Sequence, residues 1–93
     1  MLRTSIIEKA DTYLLDDEGI AVNLIELDIY SKYKGKPCHN FCQLDPEQAR
    51  VLCELLDVRS VRALEGKPLR IDVQEGEVLC MKHIVDDLEV QIE

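Results

Sequence analysis

The clearest alternation in the chain runs over residues 20–31. There Asn23, Ile25, Leu27 and Ile29 take one parity and Leu24, Glu26, Asp28 and Tyr30 the other. A period of two places Ile25, Leu27 and Ile29 on one buried face and Glu26 and Asp28 in water. The preceding segment, 4–15, is mixed: Ala10, Thr12 and Leu14 share one parity, Tyr13 and Leu15 the other. It reads as a strand, joined to the next through the turn Asp16-Asp17-Glu18-Gly19, because Gly19 can take positive φ without a Cβ clash. Lys32-Tyr33-Lys34-Gly35-Lys36-Pro37 reads as a basic loop. Residues 40–44 read as a short strand or an extended approach to a helix.

The period then changes. Asp45 is a good N-cap, Pro46 suits the first helical position, and Gln48 completes a capping-box pattern. Ala49, Leu52, Cys53 and Leu56 form a helical core stripe, widened by Val51 and Leu55, while Glu47, Arg50, Glu54 and Asp57 face water. The helix is expected to end over 58–59, with one more short turn before Gly66. Period two returns over 68–74, with Leu69, Ile71 and Val73 inward. After the turn Glu75-Gly76-Glu77, residues 78–85 are apolar on both faces and read as a central strand. Leu88, Val90 and Ile92 alternate with Glu89, Gln91 and Glu93, a candidate edge strand with an acidic outer face. The expected fold is α+β: a mostly antiparallel sheet of about five strands, β-β-β-α-β-β, on one main helix.

The 93 residues make one domain, 1–93. With no Trp and few aromatics, the core is Leu, Ile and Val; Ile25, Leu27, Leu52, Leu56, Ile71 and Ile84 are its expected members. No run approaches a membrane span and the N-terminus has no secretory h-region, so the expectation is a cytoplasmic protein with reduced thiols. The net charge of −8 disfavours direct nucleic-acid binding and favours basic partners.

Four constellations carry candidate chemistry. Cys38, Cys42, Cys80 and His83 offer zinc donors, but Cys80 and His83 stand three apart on a strand and so on opposite faces. Cys53 lies on the helix stripe and reads as a small hydrophobe. Cys38 or Cys42 with His39 or His83 would give a thiolate and a base, yet no third orienting group is recognisable. Lys32, Lys34 and Lys36 with Tyr33 could hold phosphate, against the net charge. The acidic residues Asp16, Asp17, Glu18, Glu75, Glu77, Asp86, Asp87 and Glu89 cluster near turns. If they share a side, they imitate a phosphate row and form a partner-binding surface.

Asp17-Glu18-Gly19, Phe41 with Leu44-Asp45, Leu55-Leu56-Asp57-Val58, Leu64-Glu65-Gly66-Lys67-Pro68-Leu69-Arg70-Ile71 and His83-Ile84-Val85-Asp86-Asp87 occur in that order. The chain thereby resembles a family of small, largely uncharacterised α+β proteins of bacteriophages and mobile elements. The resemblance carries over no catalytic residues and no cofactor. It implies an accessory protein that binds and blocks a host protein, in its sharpest form an inhibitor of a bacterial defence system, such as an anti-CRISPR protein acting on a nucleic-acid-binding complex. The alternatives are a self-associating module, such as a homodimer, and a zinc-binding regulator.

Overall fold

The computed structural model describes residues 2–17 and 20–92; of 15–17 and 20–22 only the backbone is described. β1 (Leu2–Asp17) and β2 (Ile20–Tyr33) form a long antiparallel hairpin, paired from Ser5↔Ser31 to Asp17↔Ile20. β3 (Lys36–Leu44) adds to the far side of β2, and α1 (Pro46–Leu55) follows. A single 3₁₀ turn at Arg62–Leu64 leads to β4 (Pro68–Gln74), which returns to the start of β1, Leu2↔Asp72 to Ile6↔Pro68. β5 (Glu77–Lys82) and β6 (Glu89–Gln91) complete the antiparallel order β3-β2-β1-β4-β5-β6. A fourth strand beside the first, after three joined by hairpins, is a Greek key. The sheet coils until β3 meets the β4–β5 turn, where Asn40 Nδ2 donates to the Gly76 carbonyl at 3.5 Å.

The mixed parity of β1 has a cause. Its register on β2 slips between Ile7 and Lys9, a bulge that leaves Glu8 as the extra residue. Ile7 and Ala10 both stay buried, while Glu8 and Lys9 both face out. Beyond Ile6 the edge of β1 facing β4 is closed by the chain ahead of that strand. Ile7 N–H donates to Lys67 O, Gly66 N–H to Ile7 O, and Ala10 N–H to the Glu65 carboxylate.

Two hairpins close on two-residue turns whose residues all have positive φ: Lys34 (52°) with Gly35 (77°), and Glu75 (53°) with Gly76 (81°). That hand matches strand twist. The basic loop is therefore only this turn, with Lys32, Tyr33, Lys36 and Pro37 inside strands, and β3 starts earlier than the expected 40–44.

The capping box forms as expected: Gln48 N–H donates to Asp45 Oδ1 at 2.7 Å and Asp45 N–H to Gln48 Oε1 at 3.0 Å. Gln48 Nε2 also donates to the carbonyls of Gln91 and Ile92, both at 3.3 Å, which ties β6 to the helix start. The helix stops at Leu55, short of the expected 58–59. Val58 N–H returns to Cys53 O and Asp57 N–H to Glu54 O, a Schellman ending with Asp57 at φ 57° where glycine is usual.

Ile7, Leu27, Ile29, Leu69, Ile71 and Met81 are fully buried on the inner face of the sheet, in one cluster with Ala49, Leu52 and Leu55 of the helix. Of the expected core set, Ile84 is only half-buried. The 78–85 strand stops at Lys82, because Arg70 Nε holds the His83 carbonyl at 2.8 Å and turns the chain. The strand count is six among the described residues, not about five. β5 has a neighbour on each side, and β6 is the edge.

Asp57→Gly is expected to raise stability by about 1 kcal/mol. It removes the left-handed strain and a carboxylate at the negative end of the helix dipole. Urea denaturation of both proteins measures this.

Candidate functional site

The outer face of β1, β2 and β3 brings exposed aromatic, imidazole and carboxylate side chains together. Cross-strand register sets Tyr30 beside His39, Asp28 beside Phe41 and Glu26 beside Gln43. The Tyr30 and His39 rings meet edge to face, with centroids 5.3 Å apart. Gln43 Nε2 donates to the Tyr13 hydroxyl at 2.8 Å, and that hydroxyl lies 3.5 Å from Glu26 Oε2. Phe41 stands free in the middle of this face, 70% exposed. A groove of about 440 Å³ runs beside it, bounded by Glu26, Phe41 and Gln43 on one wall and Gly76, Glu77 and Val78 on the other.

On the same face, His39 Nδ1 lies 3.0 Å from Asp28 Oδ1 and 3.7 Å from Glu8 Oε2. Among the described residues this is the one group of three or more His, Cys, Asp or Glu with donor atoms mutually within 4.8 Å. The cysteine set does not converge in that way. Cys42 and Cys80 are buried on β3 and β5, Cys38 is half-buried beside Arg3, and Cys53 is half-buried on α1. His83 Nδ1 instead accepts the backbone N–H groups of Val85 (3.1 Å) and Asp86 (3.0 Å). Burial pushes the thiols of Cys53 and Cys80 upward, and for Cys80 the carboxylates of Glu89 and Asp72 add to the effect. Those two thiols are poor nucleophiles at neutral pH.

The acidic residues near turns are spread over three places. Asp16 and Asp17 end β1, their side chains outside the described residues, as is Glu18. Glu75 stands in the β4–β5 turn and Glu77 opens β5 after it; register places this turn near the start of β1, at the opposite end from Asp17, and Glu77 also lines the groove. Asp86 and Asp87 lie after the other end of β5, in a loop that also exposes Val85 (79%) and Leu88 (56%), and Glu89 opens β6 directly after it. The basic turn uses its aromatic internally: the Arg3 guanidinium sits 4.0 Å over the Tyr33 ring and the Lys34 ammonium 5.3 Å from it.

Glu8, Glu26, Asp28 and Phe41 escape sequence reasoning as a site. They come from three strands, and their meeting depends on the β1 bulge and the β2–β3 register, neither of which leaves a local motif. No family model, curated protein or solved structure gives a significant match to the chain.

The raised thiols set a pH dependence. The folded state favours the neutral thiol, so this stability is fully present below the unfolded thiol value, about 8.5, and is lost as pH rises through the raised folded value. Denaturation midpoints measured from pH 7.5 to 10 are expected to fall, and to fall less in the double variant Cys53→Ala, Cys80→Val.

Proposed function

We propose that this chain is a non-catalytic protein-binding module whose contact surface is the outer face of β1, β2 and β3 with the adjoining groove. The observation that carries the reading is Phe41. A Phe side chain 70% exposed on a strand, between carboxylates and beside a groove, has no role in the core. Interface centres are enriched in aromatic side chains.

The chemistry of the face selects the partner class. Aromatic rings ringed by Glu8, Glu26, Asp28 and Glu77 suit Arg and Lys side chains, through cation–π contact and ion pairing. Phosphate is disfavoured by the same carboxylates and by the net charge of −8. A five-stranded, partly open Greek-key barrel of the OB type commonly binds ligands on its second and third strands, and the order β3-β2-β1-β4-β5 invites that analogy at the level of architecture. Here the face would take a basic protein surface in place of an oligonucleotide. With the resemblance to phage and mobile-element proteins, the sharpest form of the proposal is a blocker of a basic, nucleic-acid-binding host defence protein.

The self-associating alternative has less support. Gln48 occupies the last carbonyls at the β6 edge, and β3 opens with Lys36-Pro37, both devices that discourage strand pairing.

Affinity capture from a bacterial lysate at low and physiological salt, read by mass spectrometry, tests the proposal. The expected result is one stoichiometric basic protein. Its recovery drops at least tenfold with Phe41→Ser or with Glu26→Lys combined with Glu77→Lys. Reversal of Asp86, Asp87 and Glu89 to Lys is expected to slow association more than it weakens holding. A protein recovered only with itself, or capture unchanged in both groove variants, contradicts the proposal.

A further inference from the structure

Glu8, Asp28 and His39 meet on the same face. The strand bulge spends one residue of β1 to turn Glu8 outward next to Lys9, where an unbroken register would alternate them. Bulges re-aim side chains in this manner next to functional sites. The result is one imidazole nitrogen and two carboxylates, drawn from three adjacent strands.

We infer that Glu8, Asp28 and His39 form a binding site for a first-row divalent metal ion. Metal–ligand distances of about 2.0–2.2 Å put neighbouring donors about 2.8–3.6 Å apart in octahedral or tetrahedral geometry. His39 Nδ1 is 3.0 Å from the Asp28 oxygen and 3.7 Å from the Glu8 oxygen. The Glu8 side chain is 45% exposed, so rotation about its own bonds closes the remaining gap. Asp28 is 18% exposed and serves as the fixed ligand. The Tyr30 ring against His39 holds the imidazole plane. The donor set is two hard oxygens and one borderline nitrogen, which suits Mn²⁺ or Zn²⁺. Three protein ligands leave positions for water. A bound dication would reverse the local charge of the binding face.

The rival reading is that the hydrogen bond between His39 Nδ1 and Asp28 Oδ1, with Lys9 level with Asp28 on the neighbouring strand, satisfies these groups with no ion bound.

Mn²⁺ is the probe of choice because the four cysteines, as soft ligands, compete poorly for it. The free-ion electron paramagnetic resonance signal is followed on titration into the full-length protein. In parallel, ¹⁵N–¹H spectra record which amides the ion broadens. The expected result is one ion per chain, with broadening centred on residues 8, 28 and 39. The affinity falls at least tenfold in His39→Gln and in Asp28→Asn, with unchanged circular dichroism. Lys9→Gln should leave binding intact or tighten it. No uptake at millimolar Mn²⁺, uptake unchanged in both ligand variants, or broadening centred on Asp86 and Asp87 would each overturn the inference. None of these outcomes depends on whether a basic protein partner is captured.

Discussion

Between Ser5 and Ile7 the backbone of β1 is hydrogen-bonded on both edges, to β2 on one side and to β4 and the chain ahead of it on the other. A buried backbone group left unpaired costs about 1–3 kcal/mol, so a strand at the centre of a coiled sheet must have every edge group answered. The pairing with β4 ends at Ile6, and Lys67, Gly66 and Glu65 take over from there through Ala10. Gly66, at φ +86°, is what lets the chain turn from the 3₁₀ segment into that role. The hairpin on one side and the β4–β5–β6 half on the other are thus built around one strand, and the helix connects them.

The bulge in β1 follows from the same demand. A strand shared by two halves of a twisted sheet has to coil, and an extra residue increases local twist. Its by-product is an outward Glu8, within reach of Asp28 and His39. Structural need and site geometry therefore have a common origin. Phe41 sits at the next register position across from Asp28, so the aromatic and carboxylate chemistry of the face is one patch spanning three strands.

Much of the fold was readable in the chain. The alternation of Ile25, Leu27 and Ile29, the Asp45-Pro46-Gln48 helix start, and the inward set Leu69, Ile71 and Val73 all encode local rules, and the structure follows them. The helix end was not readable, because Asp57 occupies a left-handed position that normally announces itself as glycine. β1 was blurred by its bulge, and β3 was shortened by a Lys-Pro start that looks like loop. The candidate face was almost silent in sequence. Its residues alternate with core positions as any surface residues would, and only register joins them. The acidic turns, conspicuous in the sequence, lie at separate ends of the sheet.

Native-state amide hydrogen exchange shows whether β1 is the strand that both halves of the sheet share. The amides of Ile7 in β1, Leu27 in β2 and Ile71 in β4 should exchange only through global unfolding, with one common opening free energy equal to the denaturant value. If the β1–β2–β3 half and the β4–β5–β6 half open independently, with different free energies and Ile7 exchanging early, then β1 does not join them.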